Sequence, residues 1–141
     1  MLDSAVALPV KLMDALYAQG LLPSISQDGE EIEVEVLGAP VGVRWAEGSH
    51  LECFVSHPLA DHTDPADEAE MMRICNDIMQ RSRFVRMFLY QNEGAHLLYT
   101  CKVEQVIGPD SDLRTLLQEA LEAILEATFA WFEEVEARQV A

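Results

Sequence analysis

The residues best suited to chemistry crowd between positions 50 and 64, where His50, Cys53, His57, Asp61, His62 and Asp64 fall close together. Cys53 and His57 lie four apart, and in an extended strand that spacing puts both on one face. A thiolate and an imidazole there could converge on a metal. Neither an HxH nor an HExxH pattern accompanies them, and the run from Ser56 to Pro65 is rich in Pro and Asp. It reads as turn chemistry, with metal binding as the alternative. Four arginines, Arg73, Arg81, Arg83 and Arg86, make the one basic cluster. They suit the C-terminal end of a helix, or alternatively a dock for an acidic or carboxylate-bearing partner. The alternating acids Glu31, Glu33 and Glu35 belong to a wet strand face, not to a paired-carboxylate site. The chain has no G-x-S-x-G elbow, P-loop or G-x-G-x-x-G, and Gly38, Gly42 and Gly48 are too scattered to cradle a phosphate. The expectation is a protein that is not an enzyme and carries no cofactor.

The chemistry is sparse, so the elements around it carry more of the reading. With 141 residues, half of them apolar and 24% charged, the chain suits one globular domain with a proper core. Lys and Arg number 9 against 25 Asp and Glu, a net charge of −16. Nucleic acid and anionic membranes are therefore excluded as partners, because both need clustered positive charge. The first ten residues hold Asp3 and no Lys or Arg, unlike a secretory signal, and no apolar run could span a bilayer. Cys53, Cys75 and Cys101 form neither a CxxC nor an even set, so reduced core thiols and a cytoplasmic setting are expected.

Helical spacing of Val10, Met13, Leu16 and Tyr17 predicts a first helix over Ser4–Gln19, with Pro9 beginning its regular part and Gly20 ending it. Period-two alternation then predicts three strands, around Ile32–Val36, Val41–Trp45 and Leu51–Val55. Turns at Gly38-Ala39-Pro40 and Glu47-Gly48-Ser49 join them. Asp64-Pro65 opens a second helix running to about Ser82, with Met71, Cys75, Ile78 and Met79 on one side. Two more strands, Phe84–Gln91 and His96–Gln105, are linked through Asn92-Glu93-Gly94. A final helix covers about Leu113–Glu136 with Ser111 or Asp112 as its N-cap. The order α-β-β-β-α-β-β-α predicts an α+β domain, a single antiparallel five-stranded sheet with helices packed mainly on one face.

Alternation also assigns the two faces. Ile32, Val34, Val41, Val43, Cys53, Tyr99 and Cys101 share the helix-covered side. Glu33, Glu35, Arg44, Phe54, Thr100, Lys102 and Glu104 share the other. That second side reads as a solvated face of paired charges, or as a mixed binding surface because Phe54 joins it. Spare apolar residues remain: Met72 and Met79 beside the second helix's stripe, Phe88 in a strand apolar on both faces, and Phe129 at the edge of the last helix's acidic face. With Arg44 and Phe54 they form the candidate partner or dimer surface, and a homodimer through the second helix or the fourth strand is expected.

A small acidic domain with this element order resembles class I type III secretion chaperones. Within it, Ile74-Cys75-Asn76-Asp77, Arg81-Ser82-Arg83-Phe84, Gly94 and the Leu97–Val103 strand resemble the YbjN family more closely. The resemblance implies a non-enzymatic homodimer. The chaperone branch implies holding an extended segment of another protein, and the YbjN branch implies sensory or regulatory work. Neither implies a catalytic residue or a cofactor.

Overall fold

The computed structural model describes residues 3–46, 50–59, 65–82, 84–91 and 97–140, with the backbone alone for 3–7, 65–66 and 138–140. Among them the order is α1 (Asp3–Tyr17), β1 (Ser24–Ile25), β2 (Glu31–Val36), β3 (Ala39–Ala46), β4 (His50–Pro58), α2 (Pro65–Arg81), β5 (Val85–Gln91), β6 (Leu97–Val106) and α3 (Leu113–Val140). The strands form one antiparallel sheet in the order β1-β2-β3-β4-β6-β5, with α3 packed against β4, β5 and β6 and in contact with α1 and α2.

The expected α+β architecture is present, with one correction: the sheet has six strands, not five. The extra strand, Ser24–Ile25, is two residues long and exposed on both, so it leaves no alternation to read. A local turn holds it in register. Asp28 accepts hydrogen bonds from Ser26 Oγ (2.6 Å) and the Glu30 N–H (3.0 Å), and Gly29 supplies a φ of +74°.

Three boundaries also differ. Helix α1 runs through Pro9 instead of starting there. Its buried stripe is Leu12, Ala15 and Leu16, while Val10 and Tyr17 face out. The β2–β3 turn is Leu37-Gly38, with φ of 50° and 83°, and Ala39 and Pro40 already belong to β3. Positive φ at both central positions is the two-residue hairpin geometry that matches strand twist. Helix α3 continues to Val140, and Asp112 caps its start by accepting the Thr115 N–H at 3.3 Å. Residues 47–49 and 92–96, where two further turns were expected, lie outside the described residues.

The core lies between the sheet and the helices. Trp131 of α3 stacks on Tyr99 of β6 at 4.3 Å and donates from its indole N–H to the Met71 carbonyl of α2 at 3.3 Å. The Tyr99 hydroxyl shares a 3.0 Å hydrogen bond with Thr128 Oγ1. Those bonds satisfy the polar tips of two large aromatic rings where water cannot reach.

Candidate functional site

Side chains alternate across a strand, so the strands that build the core also present a second face with no described helix against it. Its residues line up in rows by register. Glu33 of β2 faces Gly42 of β3, Gly42 faces Phe54 of β4, Phe54 faces Lys102 of β6, and Lys102 faces Arg86 of β5. The next row runs Glu31, Arg44, Glu52 and Glu104.

Gly42 is the hinge of this surface. A Cβ built there would meet the Phe54 ring at 2.3 Å, so the ring lies flat over the glycine backbone. The Arg44 guanidinium then sits 4.3 Å from the ring centre, within cation–π range, and its Nε donates to Glu31 Oε1 at 2.9 Å. Around this core an open groove of about 610 Å³ is lined by Leu22, Glu31, Glu33, Glu35, Pro40 and Phe54, among others. Its lining mixes apolar side chains with three glutamates.

At the opposite end of the second row, the Lys102 ammonium lies 2.7 Å from Glu104 and 3.9 Å from Glu52, and His50 Nε2 is 3.9 Å from Glu104. The hydrogen bond from Lys102 holds the Glu104 carboxyl below its ordinary value.

The expected partner residues separate into three groups. Arg44, Phe54 and Phe88 share the open face, with Phe88 5.9 Å from the Lys102 ammonium. Met79 instead turns to the sheet's edge, where its sulfur accepts the Met87 N–H of β5 at 3.2 Å. It covers a donor on an edge strand that would otherwise be free to pair with another chain. Met72 is half-buried on α2 and Phe129 is half-exposed on α3, both away from the open face.

Cys53 and His57 do share one face of β4, but that face is the covered one. Cys53 is solvent-free, and burial pushes its thiol up to about 12. His57 lies against Tyr99 and Phe132, with ring centres 6.2 and 5.3 Å away. Asp61, His62 and Asp64 lie outside the described residues. Cys75 and Cys101 are also buried and free, with burial raising both thiols to about 11. Of the arginine cluster, Arg73 pairs with Glu70 within α2, Arg81 in its last turn reaches Glu134 at 3.2 Å, and Arg83 lies outside the described residues. Asn76 is exposed on α2.

Sequence reasoning missed two residues here. Gly42 was dismissed as a scattered glycine, although a glycine opposite an aromatic across a strand pair is a readable signal once register is known. Leu37, four-fifths exposed at a φ of 50°, gave no signal because nothing in its type suggests a left-handed residue.

No helix among the described residues is long and apolar enough to cross a membrane. None of the curated proteins matches this chain in sequence. The solved structures that share its fold include two from different organisms. YbjN of E. coli, titled "a putative transcription regulator", has a TM-score of 0.69 at 10% identity, covering 93% of each chain. An uncharacterized protein of Methanothermobacter thermautotrophicus has a TM-score of 0.56 at 13% identity, covering 95% of this chain and 98% of its own. The family described as "Putative bacterial sensory transduction regulator" matches over residues 10–137, so this chain belongs to the YbjN family.

Proposed function

We propose that this chain is a non-enzymatic regulatory module that works by binding an extended segment of a partner protein on the open sheet face. The carrying observation is the groove itself, which brings Leu22, Pro40 and Phe54 together with Glu31, Glu33 and Glu35 in one lining. Apolar and acidic side chains in one groove suit an extended segment that carries both apolar and basic residues. Leu22 and Leu37, both largely exposed near this end of the sheet, are further apolar anchors. The family's description supports the regulatory part of the reading. Holding an extended segment is also what a chaperone or adaptor does, so the two functions share one physical act.

A photo-crosslinking amino acid at position 33, read by mass spectrometry, tests the proposal. Crosslinks to one partner segment, lost when Glu31 and Glu35 are both changed to Lys, are the expected result. Equal crosslinking from position 33 and from a control position on α3, such as 119, sinks it.

A homodimer through the β5 edge is the second half of the reading. β5 is the longer of the two edge strands, Met79 covers only its Met87 N–H, and Phe84 (66% exposed) and Tyr90 (41%) lie on or beside it. Sedimentation equilibrium decides this half, because a single 15.8 kDa species at tens of micromolar (about assay concentration) excludes the dimer.

A further inference from the structure

We infer that His50, Glu52 and Glu104 form a site for a zinc-type divalent cation at one end of the open sheet face. One imidazole nitrogen and one oxygen from each carboxylate lie within 4.8 Å of one another. Strand geometry assembles the set. His50 and Glu52 are two apart on β4 and so share its open side, and Glu104 is the cross-strand partner of Glu52 on β6.

That register is the telling observation. Two carboxylates directly opposite each other repel, and strands carry such a pair poorly unless a cation lies between them. Lys102 answers the repulsion unevenly, at 2.7 Å from Glu104 but 3.9 Å from Glu52, and Arg44 approaches Glu52 only to 4.0 Å. A divalent ion held by both carboxylates would answer it fully.

The imidazole sets this cluster apart from the general acidity of the surface. Calcium takes six to eight oxygen ligands, whereas one imidazole with two carboxylates suits zinc and leaves a fourth position open. Ligand atoms in a tetrahedral zinc site sit about 3.3–3.5 Å apart, from bond lengths near 2.0–2.2 Å, so the three side chains must draw together slightly. All three side chains are partly exposed. The ion displaces the Lys102 ammonium from between the carboxylates. Lys102 then has the Phe88 ring of the edge strand β5 nearby on the same face. This site stands on its own and does not require a peptide in the groove.

Calorimetric titration of the full chain with zinc chloride tests it. One equivalent is expected to bind with a micromolar Kd that weakens as the pH falls, because an imidazolium cannot ligate. His50→Ala and Glu104→Gln should each weaken binding about tenfold or more, and Lys102→Met should strengthen it, with circular dichroism confirming that each variant is folded. The absence of saturable binding to the folded wild type overturns the site. So does zinc affinity unchanged by His50→Ala, affinity not raised by Lys102→Met, or calcium bound as tightly as zinc.

Discussion

On the helix-covered side of the sheet, Ile32, Val43, Leu51, Cys53, Tyr99 and Cys101 are solvent-free. On the open side, residues one position away carry Glu31, Arg44, Glu52, Phe54, Lys102 and Glu104. The two faces share every backbone hydrogen bond of the ladder, yet their side chains are held by different forces. Apolar contact on the covered face is insensitive to salt and is lost only on unfolding. Ion pairs on the open face gain little net energy in water and can be exchanged for a ligand at small cost. One set of strands thus separates stability from recognition by side-chain direction alone.

The covered face should therefore dominate every stability measurement. Trp131→Ala removes the ring stacked on Tyr99 and the indole hydrogen bond to the Met71 carbonyl. Equilibrium denaturation should show a loss of about 3–5 kcal/mol, typical of a large aromatic removed from a core. A loss near that of an open-face substitution would erase the contrast between the faces.

Gly42 sits where the two faces come closest to sharing a residue's fate. Valine there cannot coexist with the Phe54 ring in its present position, because its Cβ would meet the ring at 2.3 Å. Gly42→Val should cost about 1–3 kcal/mol, as overpacking does. The cost should largely vanish in a Phe54→Ala background, measured as a double-mutant cycle. Additive costs would mean that the ring is not what holds the glycine.

Leu37 sharpens the comparison in the other direction. An L-residue in the left-handed region costs about 1–2 kcal/mol, and Leu37 is too exposed to recover that by packing. Asn tolerates this geometry, so Leu37→Asn should raise stability by about 0.5–1 kcal/mol in thermal or urea melts. If the partner segment uses Leu37, the same variant should crosslink less well from position 33 while being more stable.

These contrasts mark what a sequence can carry. The strand pairs β2–β3 and β3–β4 announced their faces because acids and β-branched residues alternate strictly through Glu31–Val36. The helix–strand order and the side of Arg44 and Phe54 followed from the same period. What escaped was anything set by register between distant strands. The Glu52–Glu104 pairing joins residues far apart in the chain, and nothing local to either states which will face the other. Met79 escaped for the same reason, since its role depends on β5 lying at an edge. Strand β1 was too short to show any period, and Pro9 looked like a helix start because a missing N–H is cheapest there.

The smallest expected effect concerns His57, the one histidine on the covered face among the described residues. Its imidazole lies between Tyr99 and Phe132, and its Nε2 is buried without a hydrogen-bond partner. Burial lowers its pKa below the ordinary value of about 6.5, because the site favours the neutral ring. The unfolded chain therefore takes up this proton at a higher pH than the folded chain does. Stability from this group is complete above about pH 6.5 and is lost as the pH falls through the lowered folded value. The open-face carboxylate Glu104 and the cap Asp112 are both lowered by hydrogen bonding, and their losses come only in the acid range below the ordinary carboxylate values. The two faces should thus fail at separate pH values, the covered face first. Melts of wild type and His57→Phe from pH 7.5 to 4 (roughly spanning the His and carboxylate ranges) test this. The variant should lose the shallow decline beginning near pH 6.5 and keep the steeper one at acid pH. An unchanged decline near pH 6.5 would assign it to another histidine and leave the covered face without a titrating group.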